Sequence, residues 1–208
     1  MREAENISNL AELQPDYIGF IFYQNSPRFV ENLDFTLIHS LKVSIKKTGV
    51  FVNASAEYIQ ENIAKYNLNA IQLHGDESPE FCLRFKSKTV EVIKAFGIGN
   101  EFKFNDLNLY FECVDYFLFD TKSSLHGGSG KIFDWQLLES YKLPTPYFLS
   151  GGLSEENINE LQDLKDSRLY ALDLNSRFET SPGFKDIKKL RSFFNKIKNP
   201  APAEKKRV

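Results

Sequence analysis

Apolar residues in this chain gather into short unbroken runs and do not alternate singly with polar ones. The runs are Tyr17–Tyr23, Thr48–Val52, Ala70–Leu73, Val90–Phe96, Tyr116–Asp120, Tyr147–Ser150 and Leu169–Leu174. Each has strand length and is rich in Ile, Val, Phe or Tyr. An unbroken run marks a strand covered on both faces, as in a parallel sheet flanked by helices. The intervening segments carry helical spacing: Ile59 and Ile63 within Ala56–Tyr66, Ile158 and Leu161 within Glu155–Leu164, and Ile187, Leu190, Phe194 and Ile197 within Phe184–Ile197. Glu3–Leu13 reads as an opening helix through Ile7, Leu10 and Leu13. Ser78 as cap and Pro79 at the first helical position start a helix carrying Phe81, Cys82 and Phe85. Ser154-Glu155-Glu156-Asn157 starts another after Gly151-Gly152.

Strands alternating with helices imply right-handed crossovers and a parallel sheet, hence the α/β class. Seven strands can be counted, whereas a closed (βα)8 barrel needs eight. On pattern alone an open, doubly wound sheet competes with a barrel lacking its first strand. The 208 residues suit one domain. We place it over residues 1–198, and residues 199–208, with two prolines and the basic run Lys205-Lys206-Arg207, read as a disordered, solvated tail.

Composition narrows the function classes. A net charge of −2 argues against a dedicated nucleic-acid binder, which would show a basic face. Cys82 and Cys113 have neither metal-ligand spacing nor the look of a disulfide framework, so no metal is expected and a reducing, cytoplasmic compartment fits. The longest apolar run, Tyr17–Tyr23, is too short to span a bilayer, and the amino terminus lacks the regions of a secretory signal.

The candidate chemistry sits at Tyr116-Phe117-Leu118-Phe119-Asp120-Thr121, followed by Gly127-Gly128-Ser129-Gly130-Lys131. A carboxylate at the carboxyl end of a buried parallel strand points into the ligand crevice of α/β folds. Taken alone, an aspartate in this place is more simply a cap on the turn that follows. Gly151-Gly152 after Leu149-Ser150 forms either a phosphate-approach site or a strand-to-helix turn, and two glycines exceed what a turn requires.

Together the motifs resemble the phosphoribosylanthranilate isomerase family. They are Pro15-Asp16-Tyr17-Ile18-Gly19-Phe20-Ile21-Phe22 with Ser26-Pro27-Arg28-Phe29-Val30, Gly49-Val50-Phe51-Val52-Asn53, Ile71-Gln72-Leu73-His74-Gly75-Asp76-Glu77, Phe119-Asp120-Thr121, Gly127 to Trp135, Leu149-Ser150-Gly151-Gly152-Leu153, and Asp173-Leu174-Asn175-Ser176. They fall in family order from residue 1 to about residue 197. The resemblance implies a (βα)8 TIM barrel and, without a cofactor, an Amadori rearrangement of N-(5-phosphoribosyl)anthranilate to its 1-deoxyribulose 5-phosphate isomer in tryptophan biosynthesis. The partner is then a small phosphosugar, with no nucleic acid or membrane involved, and a monomer is the family default.

By the same resemblance Asp120 is the general acid that protonates the ring oxygen, and its pKa must then be raised by burial. Arg28 pairs with the anthranilate carboxylate. Gly151, Gly152, Asn175 and Ser176 receive the phosphate, and Gly130 adds a substrate contact. His74 either touches substrate or holds its loop. The implied general base is a cysteine in a Lys-x-Cys-Gly segment directly before a Met-Arg pair. Met1-Arg2 matches that pair, so the base is absent from this sequence. Two expectations follow: the start lies too far downstream, or the chain is a catalytically impaired, phosphate-binding barrel remnant. Other phosphosugar barrels fit less well, since Lys94 is the only suitable strand lysine and no internal repeat is visible.

Overall fold

A computed structural model describes residues 1–121 and 133–198. Gly130 and the rest of the glycine-rich loop, together with the 199–208 tail, lie outside the described residues. Seven strands form one parallel sheet in sequence order: β1 (Tyr17–Ile21), β2 (Lys46–Phe51), β3 (Ala70–Leu73), β4 (Glu91–Ile98), β5 (Tyr116–Thr121), β6 (Tyr147–Leu149) and β7 (Leu169–Leu172). The seven expected runs are thus seven strands.

The sheet curls into a barrel wall. Ala70, Ile93, Ala95, Leu118 and Phe148 form an inner cluster on which Tyr17 of β1 and Ala171 of β7 both pack. The Tyr17 ring also lies 6.4 Å from that of Tyr170, so the two edge strands approach each other at their amino ends. The outer face of the sheet meets helices α1 (Ala4–Glu12), α2 (Phe35–Ser40), α3 (Ala56–Tyr66), α4 (Pro79–Leu83), α5 (Ile158–Asp163) and α6 (Ile187–Lys198), with 3-10 turns at Phe104–Leu109 and Trp135–Ser140. This outer layer holds the larger core, including Phe20, Phe51, Phe117, Phe119 and Phe193. Among the described residues β1 and β7 do not pair with one another, and the wall has a gap there.

Local chemistry explains most boundaries. Ser55 caps α3 by accepting from the Tyr58 amide at 3.2 Å, and Asn67 closes that helix in the left-handed region at φ 49°. Ser78 caps α4 as expected, with Pro79 in the first turn.

Two expected helix starts move. Helix α5 begins at Ile158, not at Glu155. The Asn157 side chain accepts from the Ser154 amide and donates to the Gly152 carbonyl, which ties the preceding segment into a turn. Helix α6 begins at Ile187, because Phe184–Lys185 is strand β9 of a hairpin with β8 (Glu179–Ser181). Asp186 then caps α6 by accepting from the Lys189 amide at 3.0 Å. Neither the hairpin nor α2 was expected, since both are too short to show a period.

Asn6, 1% exposed on α1, binds Lys185 through both its groups: its amide donates to the Lys185 carbonyl at 2.9 Å and its oxygen accepts from the Lys185 amide at 2.7 Å. This joins the start of the chain to its last hairpin. Asn6→Ala strands two buried backbone groups, and a loss of about 2–4 kcal/mol is expected in a urea melt. A change below about 0.5 kcal/mol would contradict the clamp.

Candidate active site

Side chains alternate along a strand, so Tyr116, Leu118 and Asp120 of β5 share one face while Phe117 and Phe119 take the other. Leu118 lies in the inner cluster, which aims Asp120 into the barrel at its carboxyl end. A cleft of about 940 Å³ opens there. Asp120, Arg28, His74, Gly151, Gly152, Asn175 and Ser176 all line it.

Burial pushes the Asp120 carboxyl up to about 6, and the nearby charge of Asp173 adds to the effect. The Thr121 amide, donating to Oδ1 at 2.8 Å, and the Ser150 hydroxyl oppose it. Ser150 also donates to Oδ2 of Asp173 at 3.4 Å, so it stands between the two carboxyls. Burial raises Asp173 as well, held back first by the Lys185 charge. Lys185 comes from β9, is itself lowered by burial, and donates to the Leu174 carbonyl and to Oδ1 of Asn175 at 2.9 Å. It also pairs with Glu179 at 3.4 Å. On its other side Glu179 accepts from Arg28 through Nε at 2.8 Å and Nη2 at 2.7 Å. Burial alone would raise Glu179, but Arg28 and Lys185 outweigh it and hold this carboxylate below its usual range.

On the opposite wall, Nε2 of His74 lies 3.6 Å from Oδ2 of Asp120, and its Nδ1 meets Oε1 of Gln72 at 2.8 Å. The loop carrying His74 is tied from beneath. Lys94 and Glu77 form a buried pair at 3.2 Å, with side chains 2% and 3% exposed. Lys94 donates to the Gly75 carbonyl at 2.7 Å, while Glu77 accepts from the amides of Gly75 and Asn53, each at 2.9 Å.

Gly151 and Gly152 turn with φ of 84° and 70°, angles that a side chain strains. A Cβ at Gly151 would also collide with Thr121 and come within 2.8 Å of Oδ1 of Asp120. This glycine pair therefore lets the β6 loop cross directly over the acid. Asn175 is followed by a single 3-10 turn, Ser176–Phe178, at the rim.

Sequence reasoning missed several residues here. Asp173 sat inside a quoted motif without a role, and the partners of Lys94 were not evident. Gln72 likewise sat inside a quoted motif without a role, two residues from His74. Glu179 and Lys185 carry no local signal, because tertiary contacts alone bring them to the site. Neither cysteine lines the cleft: Cys82 is buried on α4, with burial pushing its thiol up to about 12, and Cys113 donates to the Leu109 carbonyl. Among the described residues no group of three His, Cys, Asp or Glu is placed to hold a metal ion, and no helix is long and apolar enough to cross a membrane.

Comparison with known proteins agrees with this geometry. Residues 1–196 match the family described as N-(5'phosphoribosyl)anthranilate (PRA) isomerase. The N-(5'-phosphoribosyl)anthranilate isomerase of Parabacteroides distasonis is 46% identical over 97% of this chain and 92% of its own length. Phosphoribosyl anthranilate isomerase from Thermus thermophilus superposes with a TM-score of 0.83 at 26% identity, covering 95% of both chains. A phosphoribosyl anthranilate isomerase in complex with reduced 1-(o-carboxyphenylamino)-1-deoxyribulose 5-phosphate is similar at 31% identity and a TM-score of 0.76, again over 95% of each chain. An acid at the mouth of a curled parallel sheet, with these relatives along nearly all its length, places the chain: it belongs to the N-(5'phosphoribosyl)anthranilate isomerase family.

Proposed function

We propose that this chain catalyses the Amadori rearrangement of N-(5-phosphoribosyl)anthranilate to 1-(2-carboxyphenylamino)-1-deoxyribulose 5-phosphate, with Asp120 as proton donor. The observation that carries this reading is a carboxyl pushed up to about 6 by burial, in a cleft that also holds Arg28 and the Gly151-Gly152 turn. A carboxyl of that kind is about half protonated near pH 6, where an ordinary carboxyl is ionised, so it retains a proton to give as a general acid. It gives its proton to the furanose oxygen, the C1–O bond opens, and the anilinic nitrogen carries the resulting iminium charge. Loss of the C2 proton then yields the enolamine, and tautomerisation yields the ketone.

Arg28 would exchange Glu179 for the anthranilate carboxylate, one planar carboxylate replacing another on the guanidinium. The loops holding Gly151, Gly152, Asn175 and Ser176 would receive the phosphate; the backbone at Gly151 and Gly152 is bare of side chains, and Lys185 adds positive charge behind Asn175. A monomer in the cytoplasm, with residues 1–198 as one domain, completes the proposal; light scattering at a mass near 24.0 kDa tests the first part.

A phosphate-binding barrel without turnover is the alternative that a test of this function must separate from it. Expression of the 208-residue chain in a tryptophan auxotroph lacking this isomerase separates the two. Growth without tryptophan supports the isomerase, and no growth from soluble protein supports the alternative.

Two further outcomes are expected. In a chain that turns over, Asp120→Asn lowers kcat by about 10²–10⁴-fold, and a loss under threefold in purified enzyme removes Asp120 from the acid role. The same substitution changes stability with pH. Because the folded-state pKa lies above the ordinary 3.8, the Asp120 contribution is fully present below pH 3.8 and is lost as pH rises through about 6. Asp120→Asn should therefore gain up to about 3 kcal/mol on the parent between pH 4 and pH 8 in paired urea melts. A pH-independent difference would show that Asp120 titrates normally.

A further inference from the structure

Arg28 meets Glu179 along one edge of its guanidinium, and the match is incomplete. Nε and Nη2 both reach the same oxygen, Oε2, at 2.8 and 2.7 Å. A free planar carboxylate gives each of those nitrogens its own oxygen, which is the stronger, bidentate arrangement. Glu179 does not offer a second oxygen, because its Oε1 accepts from the Gly183 amide at 3.2 Å and faces Lys185 at 3.4 Å. We infer that Glu179 is a positioning residue that acts through Arg28 as a tethered placeholder. It holds the guanidinium back until a forked carboxylate takes that edge, and it retakes the edge when the product leaves.

Burial sets the two partners apart. Among the described residues Arg28 and Lys185 line the cleft, whereas Glu179, its side chain 4% exposed, stands behind them. Burial works against the charge on Glu179, and Arg28, Lys185 and the Gly183 amide hold that charge in place. A fixed anion thus sits on the group that is to receive an anionic ligand. An incoming carboxylate must compete with it, so part of the Arg28 attraction is withheld from substrate and product alike. A uniform weakening of this kind raises KM and speeds product release without entering the chemical step.

Both backbones have anchors other than the ion pair. The Arg28 amide donates to Oγ of Ser26 at 3.1 Å, and the Val30 amide donates to the Ile21 carbonyl at 2.9 Å, which fixes the Arg28 loop to β1. The hairpin is held by Asn6 on Lys185 and by Arg2, whose Nη2 donates to the Pro182 carbonyl at 3.1 Å. Gly183, at φ 84°, turns its amide toward Glu179. Releasing Arg28 therefore breaks the ion pair and leaves the frame standing. Glu179 keeps its Gly183 and Lys185 contacts meanwhile, so the exchange is reversible.

The inference rests on Arg28 as receptor of the anthranilate carboxylate, and anthranilate itself is the probe. In calorimetric titrations Glu179→Gln should bind anthranilate about tenfold tighter than the native chain, since a neutral amide holds a guanidinium less strongly than a carboxylate does. A scaffolding role predicts the opposite sign, so equal or weaker binding by folded Glu179→Gln overturns the inference. In an Arg28→Gln background the gain should shrink below about twofold, and a gain that persists there overturns it too. In a chain that turns over, Glu179→Gln lowers KM by a similar factor without raising kcat. The native chain supplies a measurement that needs no variant to fold: the 13C carboxyl signal of Glu179 should shift along the anthranilate saturation curve, and a signal that stays in place sinks the placeholder. Failure of the underlying assignment shows separately, as equal anthranilate affinity in the native chain and Arg28→Gln, which removes Arg28 as receptor and the placeholder with it.

Discussion

Two carboxyls, Asp120 and Asp173, are removed from water side by side at the mouth of one curled sheet, and the remaining site geometry answers to that arrangement. Each is raised by burial, and the charge of Asp173 adds to the rise at Asp120. Like charges this close in a poorly screened cleft do not both ionise freely. Lys185 limits the cost at Asp173, Ser150 stands between the pair, and Glu179 with Arg28 balances Lys185 from outside. The outcome is an acid with a usable proton near neutrality, beside a guanidinium that already grips a carboxylate.

Burying charge rarely adds stability, because desolvation offsets most of the attraction. The Lys94–Glu77 pair is best understood by what it orients. Its hydrogen bonds reach Leu73, Gly75 and Asn53, and so join the carboxyl ends of β2 and β3 to the middle of β4 as one unit beneath His74. The positive φ of Asn53, at 50°, belongs to this unit, with its side chain accepting from the Asp76 amide at 2.7 Å. The Asn6 clamp acts similarly at the other side of the barrel, holding the hairpin that delivers Lys185. Rigid supports on both sides keep the acid, the imidazole and the arginine within a narrow geometry, which proton transfer requires.

Much of this was legible from residue order. Unbroken apolar runs marked all seven strands, since burial on both faces of a parallel sheet leaves no polar alternation. The caps Ser55 and Ser78 act within three residues, and the Ser78 cap was readable for that reason. The helix starts at Glu155 and Phe184 were wrong where a distant or looped contact overrode the period: Asn157 folds back on Gly152, and Asn6 holds Lys185 in a hairpin. Asp120, Arg28, His74 and the glycine pair stood out through motif context, and all of them line one cleft.

What the order of residues determined alone was the set of local elements and the position of Asp120 at a strand's carboxyl end, because hydrophobic period and capping act over a few residues. What only the folded chain decided was the company that aspartate keeps. Asp173, Lys185 and Glu179 arrive from 53 to 65 positions away, and His74 from 46 positions the other way. Charge coupling depends on distance through space and on the exclusion of water, and neither is written in the spacing of residues along the chain.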